Sequence, residues 1–434
     1  MEHFGRDIRT VGISAGGNIA GDVTVNYVTE AGGDPAAQAY LDLWNDSMRT
    51  VTEAANRKAS GRMSSSRPML TDIRTASSCV PGMKERMLLH SGPPCSWSGF
   101  TERQKRALTA AVLYEGWARS AEDAVRMLEN GEIETDSADC HNASAVRCGT
   151  LSPSMPVFCV SDRDAGTFVY APVTRFADAG KENVIPQITA RAALKREEIL
   201  IPALKETLLD YGFIDIFSLA REGLRSGDDC CLRTSYAASR FRDIAVGVLT
   251  GNGRPITPEL LDHLGSDTMF LELFTAAVKA MLASARNDED CSFITSFCCS
   301  GDTAGIRIAG RNDVWFTAGI GKDTGCGDEA VCQLAGAGVP SLCCSPALLE
   351  NMEMGLFDSL RMMYDAYETT DMYIEGLGIP FSGQPGSPLV IDFIKMCRTS
   401  YPLRVAYTEG GRPAVADLGL ALQTAALKAF VSER

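Results

Sequence analysis

Apolar and polar positions alternate along residues 22–28, Asp-Val-Thr-Val-Asn-Tyr-Val, and this period of two predicts a strand. Ala-Gly-Gly-Asp at 31–34 then turns the chain into a helix reaching about Lys58. Apolar runs at 68–73 and 86–90 predict two buried strands, the second ending on the turn Ser91-Gly92-Pro93-Pro94. Thr101 with Gln104 three positions on is a capping-box signature, and Ala107, Leu108, Ala111 and Val112 continue at helical spacing, so a helix is expected over 102–118. Ser120 and Asp123 repeat that signal before a second helix, which Asn130-Gly131 stops; a strand follows at 155–160.

From about 184 to 249 the apolar spacing lengthens to that of helices, with Ile199, Leu204 and Leu208, then Phe241, Ile244 and Val248, on single faces. A helix at 268–285 precedes strands at 292–298, 304–309 and 313–318, and a glycine-rich loop at 319–327 leads into a helix at 328–334. The remainder predicts a helix at 354–367, strands near 388–394 and 402–408, and a terminal helix at 417–431; no fixed-period repeat occurs. A chain of 434 residues exceeds the roughly 250–300 that one core serves. The order of elements predicts a multidomain α/β protein: an N-terminal α/β domain at 1–160, a mostly helical segment at 161–265 and an α+β domain at 266–434.

Composition narrows the function. The most apolar stretch, 269–282, is broken by Glu272, Thr275 and Lys279, so no membrane span is expected. The opening Met-Glu-His-Phe-Gly-Arg-Asp lacks the pattern of a signal peptide, and a cytoplasmic location is expected. The 15 cysteines are then reduced thiols; their adjacent pairs at 230–231, 298–299 and 343–344 do not suit zinc, and neither metal nor cofactor is expected. A net charge of −14 argues against nucleic acid but leaves room for a small anion held by backbone amides and an arginine.

Four histidines exist. His3 and His263 are read as structural. His90 closes an apolar strand where α/β sheets place ligands, or else packs on the prolines after it. His141, in Asp139-Cys140-His141-Asn142, suits a general acid/base or donor oriented by Asp139, or a solvated loop histidine. Asp228 and Asp229 stand at a helix start, where capping explains one of them; with Arg233 they could instead fix a substrate amide and carboxylate. Gly325-Cys326-Gly327-Asp328-Glu329 could present amides to an anion or be a surface turn. No thiol has an assignable base.

Ala55-Asn56-Arg57, Arg67-Pro68-Met69-Leu70, Val80-Pro81-Gly82-Met83, Leu88 to Pro94, Leu113 to Ala118 and Ser152 to Val157 occur in a recognisable order, followed by Gly227-Asp228-Asp229, Gly305 to Ile308, Trp315 to Ala318 and Gly327-Asp328. In this combination the chain resembles the YlbE-like family from about residue 22 to 430; that family includes a subunit of bacterial oxamate carbamoyltransferase, of purine and allantoin catabolism. The resemblance implies conversion of oxalurate and phosphate into oxamate and carbamoyl phosphate. It implies catalytic roles for His141, Asp228 and Asp229, and substrate binding by His90, Gly92, Glu115, Asn142, Ser154, Arg233, Arg307, Gly327 and Asp328. It further implies a small anionic substrate with phosphate, an FdrA-like partner subunit and a homo- or hetero-oligomer. The chain departs from the family pattern at three places. His141-Asn142-Ala143 and Arg147-Cys148-Gly149-Thr150 stand where a histidine-rich stretch leads into Gly-Pro-Met-Ala-Gly, Cys231 replaces a histidine, and Val28 replaces an arginine. Such losses imply a changed substrate or a non-catalytic assembly subunit; an amidohydrolase or lyase is the third alternative.

Overall fold

In the computed structural model of the chain the described residues are 24–27, 48–176, 185–311, 314–321, 323–370, 372–374, 387–399, 401–409 and 412–418, with single residues at 39, 42, 43, 377, 422 and 426. His3, Val28, the turn at 31–34 and almost all of the helix expected at 417–431 lie outside them.

The chain order begins with β1 (Thr24–Tyr27), α1 (Arg49–Ser64), β2 (Met69–Thr75), α2 (Ala76–Cys79) and β3 (Met87–His90). The capping box forms as the sequence predicts: Thr101 Oγ1 accepts from the Gln104 amide and the Gln104 side chain accepts from the Thr101 amide, which starts α3 (Glu102–Tyr114). Ser120 accepts from the Asp123 amide and starts α4 (Ala121–Glu129). Next come β4 (Glu134–Ser137), β5 (Thr150–Leu151), β6 (Pro156–Asp162) and β7 (Thr167–Pro172). β7 falls inside the 161–265 segment expected to be helical, and the helical spacing from about 184 gives α5 (Pro186–Tyr211), a short β8 (Ile214–Asp215), α6 (Ile216–Ser226), α7 (Ser235–Gly251) and α8 (Pro258–Leu264). The last part holds α9 (Asp267–Ala283), β9 (Ile294–Ser300), β10 (Thr303–Ile308) and β11 (Val314–Gly319), then α10 (Pro346–Asn351), α11 (Leu356–Glu368), β12 (Met372–Ile374), β13 (Ser387–Leu389), α12 (Phe393–Thr399), β14 (Arg404–Glu409) and β15 (Arg412–Asp417).

Two expectations are corrected. The strand near 388–394 ends at Leu389, because the Asp392 carboxylate accepts from the amides of Ile394 and Lys395 and caps α12 instead. The helix at 328–334 is the 3-10 segment Asp328–Ala335. Strand β4, Glu-Thr-Asp-Ser, has no apolar alternation to reveal it and exists through parallel pairing with β3.

Three larger sheets result, ordered β1-β11-β10-β9, β7-β6-β2-β8 and β4-β3-β5, alongside the hairpins β12-β13 and β14-β15. At their centre runs α9, whose residues from Met269 to Leu282 are all buried, including the polar face of Glu272, Thr275 and Lys279. It packs on β6, β7, β9, α6, α7 and the 3-10 segment. The main core draws apolar side chains from Ala59 to Ala426. Phe274 of α9 is fully buried and its ring centroid lies 6.0 Å from that of Phe217 on α6. Phe274→Ala is expected to cost about 3–5 kcal/mol through lost burial and the cavity left behind, read as a lower urea midpoint with the far-ultraviolet spectrum of the native protein unchanged.

Candidate active site

The polar residues that interrupt the apolar run of α9 are spaced three and four apart, so Glu272, Thr275 and Lys279 share one face. Lys279 is 2% exposed, and a buried ammonium must be paired. Its Nζ donates to the Ala143 carbonyl at 3.0 Å and the Asp328 carboxylate at 2.8 Å, and lies 3.2 Å from Asp139. Asp139 also meets Arg307 at 3.0 Å and Arg286 at 3.7 Å. Burial works against its ionisation, but Lys279, Arg286 and Arg307 outweigh it and hold the carboxyl well below the usual carboxylate range. Asp328 accepts further hydrogen bonds from the amides of Gly92, at 2.8 Å, and Ala145, at 3.0 Å. Gly92 has φ +95°, and a Cβ there would stand 2.7 Å from that of Ser300, so only glycine brings this amide to Asp328.

Ala145 begins a run in which successive amides meet three different buried carboxylates. Ala145 donates to Asp328, Val146 to Glu272 at 3.2 Å and Arg147 to Glu329 at 2.8 Å. Arg147 and Cys148 then take left-handed conformations, φ +50° and +59°, each costing about 1–3 kcal/mol for a residue other than glycine. Glu329 also accepts from the Gly327 amide at 3.0 Å, which closes the glycine loop against the turn. The Arg103 guanidinium lies over Gly325, where a Cβ would collide with it. Arg147 and Arg233 both act on Asp267, and Arg147 and Arg175 on Glu329 and Glu272, so three arginines converge here. Burial pushes Glu272 up to about 8, with help from Glu329 and Asp328 and against Arg175 and the Val146 amide, so it holds a proton at neutral pH. Burial raises Glu329 as well, although the Arg147 amide and charge oppose it.

The expected site residues fall into several groups. Gly92, Asn142, Arg307, Gly327 and Asp328 come together in this junction; the Asn142 side chain accepts from Arg286 at 3.1 Å. His90 is fully buried against Phe100, and burial lowers its pKa. Its Nδ1 lies 2.9 Å from the Ser91 carbonyl, to which it donates, and Nε2 is left without a protein partner. His141 is not oriented by Asp139, which is drawn off by the three cations. Its Nε2 faces Asp136 at 3.0 Å and its Nδ1 the Pro81 carbonyl at 2.7 Å. Both neighbours are acceptors; burial lowers its pKa, but the hydrogen bonds to Asp136 and the Pro81 carbonyl outweigh that and raise it, which favours the protonated ring.

Asp228 and Asp229 are taken up locally. Asp228 caps α7 by accepting from Tyr236 and Ala237, each at 2.9 Å, and burial pushes it up to about 6. Asp229 builds the next turn by accepting from Cys231, Leu232 and Arg233 at 3.1, 3.3 and 2.8 Å. Arg233 stacks over Tyr236 and lies 3.6 Å from Asp228. Glu115 and Ser154 meet each other, the Ser154 amide donating at 2.9 Å, in a separate cluster with Ser152. Sequence reasoning missed Lys279, Glu272, Arg175 and Asp136. The first two had a signal, charge inside an otherwise apolar helical run, whereas Arg175 and Asp136 had none. Among the described residues no group of three or more His, Cys, Asp or Glu is placed to hold a metal ion, and no helix is long and apolar enough to cross a membrane.

Two measurements test this electrostatic account. Lys279→Met leaves Asp328 buried with its charge uncompensated and is expected to cost about 3–5 kcal/mol in denaturant unfolding. Glu272 titrates near 8 in the folded chain and near its ordinary 4.5 once unfolded, so stability is lost as pH rises through that window. Glu272→Gln removes the loss; its melting temperature relative to the unaltered protein is expected to climb between pH 4.5 and 8 and level off above, and a difference constant with pH would refute the assignment.

With the geometry in place, the comparisons with known proteins identify its relatives. A family model described as oxamate carbamoyltransferase subunit AllG matches residues 133–331, the span that runs from β4 to Val331 and contains the whole Lys279 cluster except Gly92. The chain is 27% identical over 419 residues to the oxamate carbamoyltransferase subunit AllG of Escherichia coli (strain K12), covering 88% of this chain and 97% of that one. It is 24% identical over 383 residues to the uncharacterized protein YahG of the same organism, covering 83% and 80%. A crystal structure of a conserved protein of unknown function from Enterococcus faecalis V583 shares the fold, with a TM-score of 0.79 at 22% identity over 89% of this chain and 99% of that one. The chain is thus similar to the oxamate carbamoyltransferase subunit AllG, over residues 133–331 by the family model and over most of its length at 27% identity.

Proposed function

We propose that this chain is a subunit of a carbamoyltransferase acting on oxalurate, or a related ureido or amide carboxylate, with phosphate as the other reactant. A phosphate oxygen attacks the carbamoyl carbon; a carbon–oxygen bond forms, the bond to the oxamate nitrogen breaks, and that nitrogen leaves with a proton as the amide of oxamate. The reaction gathers two anions and develops an oxyanion, so it requires fixed positive charge and aimed donors. The observation that carries the reading is the convergence of Arg147, Arg175 and Arg233 on a strained left-handed turn inside a chain of net charge −14. Arg147 and Arg233 gather the anions and Arg307 supplies positive charge behind them. His141, Asp228 and Asp229 act as positioning groups, through Asp136 and through the helix start that presents Arg233. The partner in this reading is an FdrA-like subunit, and the location is the cytoplasm.

A second reading, a non-catalytic binding or assembly subunit, is favoured by the local commitment of the Asp228, Asp229 and His141 side chains. Phosphate-dependent formation of carbamoyl phosphate from oxalurate, measured with the protein alone and with co-purifying subunits, separates the two. Arg147→Met is expected to lower kcat/KM by about 100-fold, the scale set by one lost transition-state donor, with the melting temperature held or raised. Absence of turnover in both assays, with a stable partner complex, would establish the assembly subunit.

A further inference from the structure

Beside the junction a cavity of about 130 Å³ opens between the end of β7, α5 and the start of α9. Its lining includes Arg175, Arg196, Ser266, Thr268 and Glu272, with Asp262 and His263. The Arg175 guanidinium has a buried Nη1 with no hydrogen-bond partner. An unpaired buried cation is expensive and is compensated elsewhere in proteins by a counter-ion or a hydrogen-bonded carboxylate. None of the protein's carboxylates is within ion-pair distance of it among the described residues: Glu272 is spent on the Val146 amide, and Glu329 on the amides of Arg147 and Gly327. Arg196 enters from α5, donating to the Arg175 carbonyl at 3.4 Å, and so adds a second positive charge beside the first.

We infer that this cavity binds the carboxylate of a small acid carrying an amide or ureido group, with Arg175 as its counter-ion. This rests on the carbamoyltransferase reading and places the substrate's non-reacting end within it. Three features fix the ligand class. Guanidinium forks match carboxylates in two-point contact, so Arg175 selects a planar anion. Sites for drug-sized ligands run to about 300–1000 Å³, so a cavity of about 130 Å³ takes a ligand of a few heavy atoms. The protonated Glu272 and the hydroxyls of Ser266 and Thr268 supply neutral donors and acceptors suited to an amide, and with Glu272 uncharged the two arginines outnumber Asp262.

Oxamate is the probe, titrated into the full-length protein by calorimetry. Arg175→Gln keeps most of the bulk and removes the charge; its oxamate affinity is expected to fall at least tenfold while its melting temperature without ligand stays level or rises, because the buried Nη1 without a partner is gone. Ser266→Leu narrows the cavity without altering its charge, at a helix start where the serine hydroxyl makes no cap, and is expected to abolish binding. Oxamate bound equally by the unaltered protein and both variants, or not bound by the unaltered protein, would overturn the assignment. The two readings fail separately. Arg175-dependent oxamate binding without carbamoyl transfer in any assembly would leave the cavity and remove the transferase; transfer with an oxalurate KM unchanged in Arg175→Gln would do the reverse.

Discussion

The pairing of Lys279 is the constraint on which the rest of the molecule depends. An ammonium at 2% exposure costs several kcal/mol unless its partners are in place, and these come from far apart: Asp139 and Ala143 from the loop after β4, Asp328 from the glycine loop after β11. Gly92 joins through Asp328, and Arg307 on β10 through Asp139. Burial of one side chain therefore fixes five segments relative to one another. An apolar residue in its place would pack more cheaply but would leave Asp139 and Asp328 with nothing to hold them together.

The same pairing biases the interior toward positive potential. Lys279, Arg286 and Arg307 face Asp139 and Asp328, three cations against two anions. Beyond them Glu272 keeps its proton because it is buried and lies near Asp328 and Glu329. The low dielectric around these buried charges strengthens each interaction relative to water.

The fold was legible where local chemistry is self-sufficient. The capping box at Thr101 and Gln104, the helices of the middle segment and the three strands after α9 follow from spacing alone. Strand β4 was not legible, because its polar sequence is a strand only by virtue of its partner β3, and the strand expected near 388–394 overran into residues that Asp392 caps as a helix. The site was legible in pieces. Glu272 and Lys279 were visible as charges within an apolar run, but a single sequence gives such residues only the meaning that no membrane is crossed. Their meaning as a buried pair depends on Asp139 and Asp328, at separations in sequence that no local pattern spans. Asp139 beside His141 misled for the same reason: adjacency in sequence put them together, and three cations pulled the carboxylate the other way.

The departures from the family pattern gain a physical meaning from the turn at 147–148. Here this chain holds an arginine and a cysteine in left-handed backbone, where the pattern that the resemblance implies has glycines nearby. Strain of that kind persists only when the surroundings over-determine the conformation. Here the amides of Ala145, Val146 and Arg147 are each held by a different buried carboxylate, so the backbone has no alternative set of partners to relax toward. The framework thus fixes the path of the turn and leaves the side chains to vary. Arg147 places one positive charge beside Glu329 and Asp267 on that scaffold.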